Sequence, residues 1–110
     1  MTPDQIIDQL HARLNTAGRA HVQYPQPVDP AFLADGTRLS IQASSFHYCT
    51  PRQNTGPWTS VEVGFPSREI PELLPYAEDP EAPTGTVYGY VPVDVLARVI
   101  IDAGGFAKEN

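Results

Sequence analysis

An α+β domain is the fold class this sequence predicts, and three observations carry it. Two arms, residues 39–49 and 58–65, alternate apolar and polar side chains around Pro51, Asn54, Gly56 and Pro57. Alternation is the period of a half-buried strand, and those four residue types bend a chain. Near the N-terminus, Ile6, Ile7, Leu10, Leu14 and Ala17 recur at helical spacing. Near the C-terminus an almost wholly apolar stretch, 93–103, lies between Pro92 and Gly104-Gly105. The expected order is an N-terminal helix, a long antiparallel hairpin, a third strand and a C-terminal helix, with helices packed on one face of the sheet. The 110 residues make a single domain, 1–110, long enough to bury a core without staples.

Each element has its own signals. Thr2 caps, Pro3 suits the first helical position and Gln5 completes a capping box, so a helix over 3–17 stops at Gly18. His11 sits at the edge of its apolar face, without a partner at metal-binding spacing, and reads as a surface histidine. Residues 19–36 form an irregular connector. In it, Tyr24-Pro25-Gln26-Pro27 favours an extended form, either as a link or as a proline-rich ligand for another domain. Pro30-Ala31-Phe32-Leu33 suits a short turn that plugs the core with Phe32 and Leu33, and Asp35-Gly36 a tight turn before the first strand.

In the first arm Leu39, Ile41 and Ala43 share a face, with Arg38, Ser40 and Gln42 on the other. Phe46 and Tyr48 fall on the opposite parity, so a bulge near Ser44-Ser45 is expected to return them to the core. In the second arm Thr59, Val61, Val63 and Phe65 share a face, and Ser60 and Glu62 the other.

Pro66 ends that strand and opens an excursion, 66–85, rich in proline and acid. So many prolines forbid a long regular element. Ile70, Leu73, Leu74 and Tyr76 still require packing, with one helical turn expected over 72–76. The excursion reads as a cover for one end of the sheet, or as a lid or partner-binding segment. Residues 86–91 are the third strand, and a helix runs from Pro92 to about Ala103. Asp94, Arg98 and Asp102 give that helix one polar stripe. Its remaining circumference is apolar, wider than an ordinary surface helix, so the sheet and first helix must cover it, or a second subunit in a homodimer. Residues 106–110 read as a frayed tail.

The net charge is −6, and all of it lies in the second half. Residues 1–60 balance four acids with four arginines, while 61–110 carry nine acids against Arg68, Arg98 and Lys108. Clustered positive charge is missing, so no direct nucleic-acid binding is expected. No apolar run approaches a membrane span, and the N-terminus is acidic and helix-like rather than a signal peptide. A soluble cytoplasmic protein without membrane association is expected. The single cysteine, Cys49, rules out an intrachain disulfide and fits a reducing compartment.

The hairpin loop is the leading candidate site. His47, Tyr48, Cys49, Arg52, Asn54 and Trp58 cluster around its tip. His47 and Cys49 at i, i+2, with no third residue to orient the histidine, assign no catalytic residue. One cysteine and three scattered histidines supply neither a metal site nor a reason to expect a cofactor. Tyr48, Arg52, Asn54 and Trp58 can instead cradle an anionic or aromatic small molecule, or form a tight loop around a buried Trp. Tyr88 and Tyr90, expected on one face of the third strand, join that candidate ligand set. Gly89 leaves the opposite face open to close approach. Glu69, Glu72, Glu78, Asp79 and Glu81 are the candidate partner-binding acids. Phosphate loops, dinucleotide fingerprints and nucleophile elbows are absent from the sequence.

Residues 39–52, with Val61-Glu62-Val63-Gly64-Phe65-Pro66-Ser67 and Val87-Tyr88-Gly89-Tyr90-Val91-Pro92, resemble small uncharacterised proteins of bacteriophages and prophages. The resemblance spans about the last two-thirds of the chain and implies a setting rather than an activity. Small acidic phage proteins are often accessory or anti-defence factors that bind a host protein, a nucleic-acid-binding complex or a signalling nucleotide. The expected function is a non-enzymatic inhibitor of a host system acting through protein–protein contact. The alternative is a small-molecule binder, such as a nucleotide sponge, using the hairpin tip. A hydrolase using Cys49 comes third.

Overall fold

The computed structural model describes residues 1–15 and 25–108. It shows an α+β fold with a helix at each end and a four-stranded antiparallel sheet between them, in the order β1-β2-β3-β4.

Helix α1 (Pro3–Leu14) opens with the expected capping box: Gln5 N–H donates to Thr2 Oγ1 at 3.2 Å and Thr2 N–H to Gln5 Oε1 at 2.9 Å. It ends earlier than expected. Asn15 leaves the helical region and its Oδ1 accepts Gly56 N–H, so α1 spends its last side chain on the distant loop. Ala17, Gly18 and residues 19–24 of the expected connector lie outside the described residues.

Residues 30–33 do not form a plug turn. Ala31–Phe32 is a short strand, β1, paired with β2 (Arg38–Gln42) so that Ala31 opposes Leu39 and Phe32 opposes Arg38. Alternation buries Ala31 and Leu33 and turns Phe32 outward. The sheet therefore has four strands rather than three. Gln42 extends the pairing beyond β1, because its side-chain amide accepts Val28 N–H at 3.0 Å and donates to Val28 O at 2.8 Å. Between the strands, Asp35-Gly36 makes the expected turn. Thr37 hydrogen-bonds the Asp35 carboxylate and, with Arg68 at 3.5 Å, holds it below its usual range.

β2 pairs with β3 (Ser60–Gly64) as Ile41 opposite Val63 and Gln42 opposite Glu62. The hairpin arms are short and the loop 43–59 is long, because the first arm leaves the sheet after Gln42. Val61 and Val63 are buried as expected, but so is Ser60, while Thr59 and Phe65 are exposed. β4 (Val87–Pro92) pairs with the other side of β3. Val61 opposes Val91 and Val63 opposes Tyr88, so Gly89 and Tyr90 together face the single residue Glu62. The chain does carry a bulge, but in β4 rather than at Ser44-Ser45.

The excursion packs through a 3₁₀ helix (Pro71–Tyr76), with Ile70 and Leu73 buried. Helix α2 (Val93–Asp102) contacts α1, β4 and the 3₁₀ helix. Its apolar residues are buried or half-buried inside one chain, and Asp94, Arg98 and Asp102 are exposed. The helix itself therefore leaves no apolar face that requires a second subunit. The expected fraying fails at residues 106 and 107. Phe106 bridges Leu33, and Ala107 N–H donates to Phe32 O at 2.8 Å, which covers the outer edge of β1. Among the described residues no helix is long and apolar enough to cross a membrane.

Candidate functional site

The loop 43–59 is built in two halves. The first begins with a turn in which Ser44 Oγ accepts Phe46 N–H and lies 2.6 Å from His47 Nδ1. That turn satisfies its own polar groups and throws Phe46 outward, to 55% exposure. Cys49 then dips inward and donates its thiol to Ser44 O at 3.2 Å and Pro51 O at 3.3 Å.

The second half is clamped to α1. Trp58 is 1% exposed; its ring stacks on that of His11 with centroids 5.8 Å apart, and its backbone N–H donates to His11 Nε2 at 2.8 Å. Its indole N–H donates to Gln53 O at 3.2 Å. A Cβ on Gly56 would stand 2.6 Å from the indole, so only glycine lets the chain pass there. His11 is thus no surface histidine; half-buried, it ties the loop to the helix.

Three of the six candidate ligand residues gather on the surface. Tyr48 and Tyr90 meet with ring centroids 5.9 Å apart, and the Arg52 guanidinium lies 5.6 Å from the Tyr48 ring centre. Arg52 Nε donates to His47 O. Tyr48 is fixed through its backbone: its N–H donates to Glu62 Oε1 at 3.3 Å, and its carbonyl accepts Tyr90 N–H at 2.9 Å. Gly89 makes this possible, since a Cβ there would sit 3.2 Å from the Tyr48 Cβ. The β4 bulge turns Tyr90 outward at φ 53°, leaving it 48% exposed.

The other three serve the fold. Trp58 is buried. Tyr88 is also buried, not on a shared face with Tyr90, and its hydroxyl donates to Pro83 O. Burial, with the charge of Glu69 adding, raises the Tyr88 phenol above its usual range. Asn54 Oδ1 accepts Ser45 N–H at 3.0 Å. Phe46 and Tyr48, expected to be returned to the core by a bulge, are exposed because the chain makes a turn at Ser44 in place of that bulge. Reasoning from sequence missed Phe46 as an exposed aromatic, Glu62 as a neighbour of Tyr48 and His11 as an anchor. Gly89 was the available signal for a close approach in β4.

The five candidate partner-binding acids, Glu69, Glu72, Glu78, Asp79 and Glu81, are all exposed. The excursion that carries them is held to β4: Ala77 bridges Tyr88, Glu78 N–H donates to Val87 O at 3.0 Å, and Asp79 N–H to Thr86 Oγ1 at 3.1 Å.

Both candidate nucleophiles, Cys49 and Ser44, are buried. Burial pushes the Cys49 thiol up, which favours the unreactive protonated form. The Ser44 hydroxyl beside His47 belongs to a residue only 1% exposed, out of reach of a substrate. Among the described residues no three His, Cys, Asp or Glu side chains gather to hold a metal ion. Compared with known proteins, the chain matches no family model, no curated protein and no solved structure.

Proposed function

We propose that this is a non-enzymatic binding protein that works by protein–protein contact through the outward half of loop 43–59. One observation carries the reading: Tyr48 and Tyr90 are exposed and in contact, with Arg52 over the Tyr48 ring and exposed Phe46 two residues away in the chain. Aromatic residues and arginine are the types enriched at the centres of protein interfaces, where a few of them supply most of the binding energy. Their placement by backbone bonds keeps the ordering cost of association small. In the phage-type setting implied by the resemblance, the partner is a host protein and contact inhibits it.

The test is affinity capture of the tagged protein from its own host, with wild type beside Tyr48→Ala/Tyr90→Ala. A protein retained by the wild type should be lost from the variant. Equal retention by both, with the variant folded, overturns the reading. A second reading, an anionic small molecule such as a nucleotide, rests on the Arg52 guanidinium over Tyr48. Undiminished ligand affinity in Arg52→Ala would remove it.

A further inference from the structure

We infer that the aromatic tip and the acidic excursion form one continuous contact surface along β4, and that this surface takes an arginine-bearing basic segment of a protein partner. This rests on the protein-contact reading above and names the chemistry of the partner.

The two candidate surfaces, far apart in sequence, meet on one strand. One edge of β4 pairs with β3. On the other edge Val87 O accepts Glu78 N–H, and at the bulge Tyr90 N–H reaches the O of Tyr48, which lies against Gly89. Val87 and Tyr90 are three residues apart, about 10 Å at roughly 3.3 Å per residue. The segment that carries exposed Glu78, Asp79 and Glu81 therefore meets β4 within about 10 Å of the place where exposed Tyr48 and Tyr90 meet, and the partly exposed Glu62 is bonded to the Tyr48 backbone.

The covered edges select how a partner is read. The excursion bonds one edge of β4 and residues 106–107 bond the outer edge of β1, so an added strand would have to displace them. The partner must be recognised through side chains. Carboxylates near two tyrosine rings repel phosphate backbones and acidic peptides and attract cations. Arginine suits both parts at once, because its planar guanidinium stacks on an aromatic face while pairing with a carboxylate in two-pronged geometry. Arg52 already places a guanidinium over the Tyr48 ring, 5.6 Å from its centre. Lysine, a compact and strongly hydrated charge, matches the acids but not the ring.

Three short synthetic peptides, alike except that they carry arginines, lysines or glutamates, test this by fluorescence anisotropy. The arginine peptide should bind about threefold more tightly than the lysine peptide, the size of one exposed stacking contact. The glutamate peptide should not bind. Glu78→Gln/Asp79→Asn/Glu81→Gln should weaken both cationic peptides about tenfold. Tyr90→Leu should abolish the preference for arginine and leave lysine-peptide affinity unchanged. Equal binding of the arginine and lysine peptides, a preference that survives Tyr90→Leu, or affinity unmoved by the charge variant each overturn the inference. The charge variant also enters the host capture experiment. A partner lost from Tyr48→Ala/Tyr90→Ala but kept by the charge variant overturns the basic-partner inference alone; a partner kept by both overturns the protein-contact reading with it.

Discussion

The two halves of loop 43–59 are both rich in aromatic and polar residues, yet they end in opposite environments. Phe46 and Tyr48, in the first half, are 55% and 39% exposed; Trp58, in the second, is 1% exposed. The difference lies in what each half finds to bind. The second meets α1, where His11 offers both a ring and an acceptor and Asn15 takes Gly56 N–H. The first satisfies its polar groups within its own Ser44 turn and hands its backbone to Glu62 and Tyr90. An aromatic side chain is buried only where a second element arrives to cover it. The loop thus separates an anchoring half from a presenting half.

The strongest way to break that comparison is to truncate one aromatic from each half. Trp58→Ala should cost about 3–5 kcal/mol in urea denaturation, because it empties a fully buried site. His11→Ala should cost about 1–3 kcal/mol, since it leaves Trp58 N–H without its acceptor. The double variant should lose less than the sum, as both remove one shared contact. Tyr48→Ala should stay within about 0.5 kcal/mol of wild type, as surface substitutions do. A Tyr48→Ala cost equal to that of Trp58→Ala would end the division into halves.

The same division explains what the sequence disclosed. Both helices, the paired arms, the turn at Asp35-Gly36 and the excursion with its single helical turn follow from periodicity, capping and proline placement, which act within a few residues. The strand at Ala31–Phe32 was hidden because two residues carry no period, and it exists through pairing with Leu39 and Arg38 and through the reach of Gln42 to Val28. The bulge expected at Ser44-Ser45 to return Phe46 and Tyr48 to the core did not form, because a local turn there competed with the strand and left both side chains outward. Parity failed for Tyr90 because one extra residue in β4 reversed its side. Of the candidate ligand set, Tyr48, Arg52 and Tyr90 were placed together, while Asn54, Trp58 and Tyr88 were drawn into the fold. Residue type alone cannot separate an aromatic that anchors from one that presents.

A smaller effect of opposite sign sharpens the picture of presentation. Phe65 and Tyr90 are the non-glycine residues at positive φ among those described, at 50° and 53°, and both are exposed. Holding an ordinary side chain in that region costs of order 1–3 kcal/mol. Phe65 is 59% exposed, so Phe65→Gly removes the strain and little packing. It should raise stability by about 1 kcal/mol, read as a shift in urea midpoint at unchanged slope. Tyr90→Gly should gain less, because it also gives up the contact with Tyr48. If both substitutions destabilise, these aromatics are held by packing and are not presented at the expense of the backbone.

The smallest effect is a tilt with pH, and it reports on the residue where the halves join. Cys49 donates to Ser44 O on one side and to Pro51 O on the other, and burial raises its thiol above the ordinary value. A raised folded-state value means that folding favours the protonated thiol. The stability this contributes is present in full below the unfolded thiol's value and is lost as pH rises through the folded one. Wild type should therefore lose stability relative to Cys49→Ala on the alkaline side, while the difference between them stays flat around neutrality. Tyr88, whose phenol is also raised, is common to both proteins and cancels in that difference. Urea midpoints of the two proteins across neutral and alkaline pH measure it. Alkylation by iodoacetamide at neutral pH gives an independent reading: it should be slow on the folded protein and rise along the unfolding curve. If Cys49 reacts in the folded protein as fast as a free thiol, the junction is open, and the presenting half is not braced by the anchoring half.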